Sequence, residues 1–152
     1  MLNLPDVHLL TASSLANLNN QTQEELLIRM PTIVHFEIPT DNLERAKKFY
    51  GELFGWKFET WEGPMEYLMI STTNGKGEKA IGGGMMKRQH PQQPITNYID
   101  VPSVDQYVAK IQKLGGKVKV PKSPVPNMGY FAVCLDTENN TFAIWENNTN
   151  AK

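Results

Sequence analysis

The sequence predicts an α+β fold in which two βαβββ modules contribute eight strands to one cup-shaped domain. A strand ending in proline followed by a helix ending in glycine occurs twice, in "FEIPTDNLERAKKFYGELFGWKF" and "YIDVPSVDQYVAKIQKLGGKVKV". Three short apolar segments separated by turn residues follow each helix. A plan that recurs in this way indicates a duplication. The 152 residues are enough for one such domain with its own core.

The first module is assigned to residues 31–88. Its first strand, "TIVHFEIP", alternates in the strand manner until the proline. The segment "TDNLERAKKFYGELFGW" has apolar residues three and four apart, which predicts a helix with Thr40, Asp41 or Asn42 as N-cap and Gly55 as its end. The strands "WKFETW", "EYLMIST" and "KAIGGGMM" follow, joined by turn residues.

The second module is assigned to residues 94–148, so that one domain spans 31–148. "ITNYIDVP" is a strand, "SVDQYVAKIQKLGG" a helix, and "KVKVP", "GYFAVCLDT" and "TFAIWEN" are strands. Residues 1–30, rich in Asn, Gln and Leu, are read as an N-terminal helical appendage. Thr22 and Glu25 have the spacing of a capping box at the start of a short helix there.

Charge and composition restrict the partners. The formal net charge is -1 and no cluster of Lys and Arg occurs, so neither a nucleic acid nor a membrane surface is expected as a partner. No apolar stretch approaches the ~18 residues of a membrane span. The single cysteine, Cys134, lies in the apolar run "YFAVCL" and is expected to be a buried hydrophobe. These features favour a reducing cytoplasm.

The segments "HFEIPTDNLERAKKFYGELFGWKFE", "AIGGGM" and "PVPNMGYFAVCLDTENNTFAIWE" resemble the vicinal oxygen chelate superfamily, which includes glyoxalase I, bleomycin-resistance proteins and extradiol dioxygenases. The resemblance covers nearly all of residues 31–147 and is greatest to the branch related to lactoylglutathione lyase. It implies the cup-shaped fold. It does not specify a reaction, because the superfamily hosts lyases, dioxygenases, transferases and binding proteins.

In metal-dependent members of that superfamily, the first and last strands of each half supply one metal ligand each. His35 falls at the first of these positions. The fourth strand offers the glycines 82–84, the fifth offers Thr96 and the eighth offers Ala143. One imidazole does not hold a transition metal tightly. We therefore expect no tightly bound metal cofactor, with a weakly held divalent metal at His35 as the alternative.

Strand alternation predicts which side chains line the cleft. His35 and Glu37 share one face of the first strand and are the candidate catalytic acid and base. The candidate ligand-binding residues are Gly82, Gly84, Thr96, Tyr98, Ala143 and Trp145. The glycines are expected to widen the cavity and to let a ligand approach the backbone.

Two functions follow from these features. One is a binding protein that holds a small ligand in the cup, and the other is a lyase or dioxygenase that acts on a small carbonyl or vicinal-oxygen substrate. A third option is a cleft filled by its own side chains. A homodimer is a possible assembly, since many superfamily members pair.

Overall fold

The computed structural model of this chain describes residues 30–152. The predicted N-terminal appendage, apart from Met30, lies outside the described residues. The described elements are β1 (Ile33–Thr40), α1 (Leu43–Phe54), β2 (Lys57–Thr60), β3 (Tyr67–Ser71), β4 (Gly82–Lys87), β5 (Thr96–Asp100), α2 (Val104–Lys113), β6 (Lys117–Val125), β7 (Gly129–Leu135) and β8 (Thr141–Asn147). Neither α1 nor α2 is long and apolar enough to cross a membrane.

Local signals fix both helices. The Asn42 side chain accepts a hydrogen bond from the Arg45 N–H at 2.8 Å and caps α1, so the third of the three candidate N-caps is the one used. Gly55 ends that helix in the left-handed conformation, with φ 70°. Ser103 caps α2 in the same way, accepting from the Gln106 N–H.

The strands form one open sheet in the order β2-β3-β4-β1-β5-β8-β7-β6. Within each module the first and last strands are parallel neighbours, β1 with β4 and β5 with β8. The modules meet through the antiparallel pairing of β1 with β5. The described residues therefore confirm the predicted α+β architecture of two βαβββ modules in one eight-stranded sheet.

Both helices cover the same face of this sheet. Phe36 and Ile38 of β1 pack in the cluster that contains Leu43 of α1. Ile99 and Val101 pack with Val104 of α2. Because the β1–β5 register pairs Phe36 with Asn97, Phe36 and Ile38 of β1 and the odd positions of β5 point to this one helix-covered side.

One strand differs from its prediction. The sequence predicts a five-residue strand "KVKVP", whereas β6 runs for nine residues, Lys117–Val125. Its pairing with β7 shifts register twice, between Val118 and Val120 and between Val120 and Ser123. Prolines are tolerated in a strand at an edge and beside bulges, and β6 is an edge strand. The strand therefore continues past the proline at which its end is predicted.

The buried core gives a direct test of the helix-covered face. Met85 of β4 is fully buried in the first cluster, whereas Met128 is 43% exposed. Replacing Met85 by Ala is expected to lower the free energy of unfolding by about 2–5 kcal/mol, because it leaves a cavity. Urea unfolding measures the loss, and Met128→Ala is the matched control. Equal effects of the two substitutions would contradict the packing.

Candidate functional site

The sheet face opposite the two helices, called the inner face below, carries the predicted site. The register pairs His35 with Gly82 and Glu37 with Gly84 on one side of β1, and His35 with Tyr98 and Glu37 with Thr96 on the other. Tyr98 is in turn paired with Ala143 and Asp100 with Trp145. Paired residues point to the same side of a sheet. All eight candidates thus share this face: His35, Glu37, Gly82, Gly84, Thr96, Tyr98, Ala143 and Trp145.

A hydrogen-bonded network of four side chains lies at its centre. The Tyr67 hydroxyl donates to Glu37 Oε1 at 3.0 Å, and the Tyr98 hydroxyl donates to Glu37 Oε2 at 2.7 Å. His35 Nε2 lies 2.9 Å from the same Tyr67 hydroxyl. The His35 ring also contacts Tyr98 edge to face, with centroids 5.5 Å apart. Tyr67 therefore bridges the two predicted catalytic residues, which do not contact each other through a direct hydrogen bond.

The single hydroxyl proton of Tyr67 determines the tautomer of His35. A hydroxyl that donates to Glu37 has only its oxygen lone pairs left for His35. His35 Nε2 must therefore carry a hydrogen and donate it to Tyr67. This leaves His35 Nδ1 as the basic nitrogen of the neutral ring, and it has no hydrogen-bond partner among residues 30–152.

Burial governs the charge of each group in this network. It lowers the pKa of His35 and so favours the neutral imidazole. Burial also raises the pKa of Glu37, an effect opposed by the hydrogen bonds from Tyr98 and Tyr67, which favour the carboxylate. The pKa values of Tyr67 and Tyr98 are both raised, first by burial and then by the Glu37 charge. Both phenols therefore stay protonated and remain donors.

Gly84 is required by Tyr67 and not by an open cavity. A Cβ built at Gly84 would overlap the Tyr67 hydroxyl and ring. A Cβ at the neighbouring Gly83 would meet the Phe36 ring at 2.5 Å on the helix-covered face. The expectation that the glycines widen the cavity is thus corrected at Gly84, since a side chain of the protein itself takes up the space.

Tyr67 is the network member that the sequence reasoning left out of the candidate site. The signal was present in "EYLMIST", where alternation places Tyr67 and Met69 opposite the buried Leu68 and Ile70. The alternation pattern did not show that the Tyr67 side chain would contact residues of a strand two places away in the sheet. This side chain spans the width of β4 at a glycine and reaches β1.

The other candidates occupy different surroundings. Ala143 is fully buried, and Thr96 is 8% exposed with its hydroxyl donating to the Pro94 carbonyl at 3.4 Å. Trp145 is half-buried, and its indole Nε1–H donates to Asn147 Oδ1 at 2.9 Å. The face therefore presents Trp145 and Tyr98 more openly than it presents Thr96 or Ala143.

Four further residues have surroundings that bear on the core or on the candidate site. Trp56 and Phe58 pack against the core cluster that contains Leu43 of α1. The Glu146 carboxylate accepts from the Val104 N–H at 2.8 Å and compensates the start of α2. Cys134 is buried as predicted, and burial raises the pKa of its thiol.

The donor set on the inner face does not fit a tightly held metal. On the first and last strands of each module, the positions that the resemblance implied for metal ligands are His35, the glycines 82–84, Thr96 and Ala143, and of these only His35 has a strong donor. The Glu37 carboxylate lies two residues along β1 from His35, and both of its oxygens accept from tyrosine hydroxyls. Among residues 30–152, no three His, Cys, Asp or Glu side chains lie close enough to hold an ion together. A transition-metal centre usually needs three or four such ligands.

Comparison with known sequences finds related proteins. Residues 32–73 match the family described as "Bleomycin resistance protein-like N-terminal". A "Glyoxylase-like domain-containing protein" of Didymella fabae is 32% identical over 112 residues, covering 71% of this chain and 88% of that protein. The "Putative glyoxylase CFP32" of Mycobacterium bovis is 29% identical over 117 residues, covering 74% of this chain. This chain spans 44% of the mycobacterial protein's length.

Solved structures share the fold at low sequence identity. The hypothetical protein BH1468 from Bacillus halodurans superposes with a TM-score of 0.59 at 13% identity, covering 82% of this chain and 99% of that one. A variant of the Streptomyces coelicolor methylmalonyl-CoA epimerase superposes with a TM-score of 0.57 at 14% identity, covering 76% and 96% of the two chains. These likenesses establish the architecture.

The contact between Gly84 and Tyr67 gives a testable coupling. Gly84→Ala is expected to destabilise the protein by about 1–3 kcal/mol, because the added methyl group overpacks the tyrosine ring. In a Tyr67→Ala background the same change is expected to cost much less. Urea unfolding of the four proteins gives the coupling energy. Gly75→Ala is the control, since a Cβ there meets nothing within 4 Å. Additive effects would contradict the contact.

The lowered pKa of His35 predicts a pH dependence. Below its ordinary value of 6.5 the unfolded chain binds more protons than the folded chain, so this histidine's contribution to stability is lost as the pH falls. The pKa of Glu37 is raised from 4.5, so its contribution to the free energy of unfolding changes in the opposite direction and decreases as the pH rises.

The contribution of His35 is isolated by comparison with His35→Gln. The unfolding free energy of the unchanged protein minus that of the variant is expected to be larger at pH 7.5 than at pH 5. Each unit of pKa difference corresponds to about 1.4 kcal/mol. An NMR titration of the His35 ring measures its midpoint directly, and a midpoint above 6.5 would refute the prediction.

Proposed function

We propose that this chain, which belongs to the vicinal oxygen chelate superfamily of glyoxalase-like and bleomycin-resistance-like proteins, binds a small ligand on its inner face. In this proposal the inner face lacks a full set of metal ligands. The observation that carries the proposal is the state of Glu37. Its two carboxylate oxygens accept hydrogen bonds from Tyr67 and Tyr98, at 3.0 and 2.7 Å. A carboxylate used in this way holds the two tyrosines in place.

The proposed binding surface follows from this arrangement. The orientation of Tyr98 is fixed by its hydrogen bond to Glu37 and by its contacts with the rings of His35 and Phe131. Rings that are already fixed lose little freedom when a ligand binds, and that favours affinity. Trp145 and Phe131, paired across β7 and β8, extend the apolar surface. The ligand is therefore expected to have a flat apolar part and a few polar groups.

An enzyme is the second candidate, and the His35–Tyr67–Glu37 contact favours it. The neutral His35 ring has a basic nitrogen, Nδ1, with no partner among the described residues. Such a nitrogen can take a proton from a carbon or oxygen acid, while Nε2–H and Tyr67 keep the ring in one orientation. The relatives named as glyoxylases and the epimerase neighbour support this candidate, with a small carbonyl or vicinal-oxygen substrate.

A cytoplasmic location and pairing of two copies belong to the proposal as well. The free, buried thiol of Cys134 suits a reducing compartment. Apolar side chains of α1 that are more than half exposed, Phe49, Leu53 and Phe54, offer a surface through which a second copy would pack.

Elemental analysis separates the binding protein from a metal-dependent lyase or dioxygenase. Protein purified without chelator is expected to contain well under one equivalent of Mn, Ni, Zn or Fe, because one imidazole holds such ions weakly. His35→Ala is expected to leave that content unchanged. His90→Ala, in the exposed loop between the modules, is the control for metal bound at the surface. One equivalent of metal that disappears only in His35→Ala would establish the metalloenzyme instead.

A further inference from the structure

A second polar group lies on the inner face beyond the Glu37 network. Asp100 is two residues along β5 from Tyr98 and points to the same side. In the second copy of the duplicated pattern it stands two residues before Pro102, where Glu37 stands two residues before Pro39 in the first copy. Each half of the sheet thus presents one carboxylate near the end of its first strand.

A chain of two hydrogen bonds fixes the surroundings of Asp100. The Trp145 indole Nε1–H donates to Asn147 Oδ1 at 2.9 Å, and Asn147 Nδ2 donates to Asp100 Oδ1 at 3.3 Å. An indole N–H can only donate, so it sets which end of the Asn147 amide is the oxygen. The amide nitrogen must then point toward Asp100.

The two carboxylates are satisfied to different degrees. Glu37 accepts two phenol hydroxyls, each within 3.0 Å. Asp100 accepts one longer bond from an amide, and its Oδ2 has no hydrogen-bond or ion-pair partner among residues 30–152. Asp100 is nevertheless half-buried, and this burial raises the pKa of its carboxyl because it desolvates the charged form. A hydrogen-bond donor or a cation brought by a ligand would relieve that cost.

Aromatic side chains border this carboxylate. Trp145 is paired with Asp100 on β5 and with Phe131 on β7. The indole lies against Gly129, where a Cβ would be 2.7 Å from the Trp145 ring. The Phe131 ring in turn contacts Tyr98, with centroids 6.4 Å apart. A flat apolar group thus has a surface of three rings beside a carboxylate oxygen that still lacks a donor among the described residues.

We infer that Asp100, held by Asn147 and Trp145, is a specificity-determining residue of the inner face and receives a protonated nitrogen group on a flat apolar ligand. The inference rests on the proposed ligand-binding function and adds the chemical class of the ligand to it. An amidinium or ammonium group donates to Asp100 Oδ2, and the attached ring packs against Trp145 and Phe131. A ligand with a carboxylate at the same place would instead meet like charge and is excluded.

A matched set of small probes tests the inference: benzamidine, benzamide and benzoate share one ring and differ in charge. NMR titration follows the Trp145 indole N–H, identified by its loss in Trp145→Phe. Benzamidine is expected to shift this signal saturably, benzamide weakly and benzoate not at all. Asp100→Asn is expected to weaken benzamidine binding roughly tenfold. Glu62→Gln, which removes an exposed charge of the same sign, is expected to leave binding unchanged.

The outcomes separate this inference from the proposed function. Two results would overturn the role of Asp100 and leave the binding function standing. One is that benzamide or benzoate binds on the inner face as tightly as benzamidine. The other is that Asp100→Asn does not weaken the binding of benzamidine. If none of the three probes shifts the NMR signals of His35, Tyr98 or Trp145, the result would contradict both the role of Asp100 and the proposed binding function. If Asp100→Asn does not fold, the charge series on the unchanged protein still decides.

Discussion

The antiparallel pairing of β1 with β5 joins the two halves of the sheet and determines which side chains lie together at the centre of the inner face. It places His35 beside Tyr98 and Glu37 beside Thr96. A shift of one residue in this pairing would turn His35 and Glu37 toward the helices and Phe36 and Ile38 toward the inner face. Burial of Phe36 and Ile38 against α1 opposes that shift. The core on one face therefore fixes the register that assembles the polar network on the other.

The Glu37 carboxylate imposes the next constraint. A half-buried carboxylate must be compensated, and the compensation comes from two phenols on different strands, Tyr67 of β3 and Tyr98 of β5. Tyr67 reaches Glu37 only because the intervening position on β4 is Gly84. The charge of Glu37 thus requires the hydroxyls of both tyrosines, and the position of Tyr67 requires a glycine at position 84. Gly84 is therefore required by a tyrosine of the neighbouring strand.

Both modules place an aromatic side chain over a glycine beside a carboxylate, but the carboxylates differ in their hydrogen bonds. In each, an aromatic ring lies over a glycine of a neighbouring strand, Tyr67 over Gly84 and Trp145 against Gly129. In the first module the ring carries a hydroxyl that saturates the carboxylate. In the second the indole N–H is used by Asn147, and Asp100 keeps one oxygen without a partner among the described residues. A duplicated fold has in this way acquired an asymmetric inner face, which suits a ligand with one polar end.

The sequence by itself determined the two modules, their two helices, and the shared face of the eight candidate side chains, because these follow from periodicity and from turn and capping residues close together in the chain. Only the tertiary structure decided the partners of Glu37. Tyr67 and Tyr98 lie 30 and 61 residues away from it. Whether their hydroxyls meet the carboxylate depends on strand register and on the reach of a side chain across Gly84, and no local pattern encodes either.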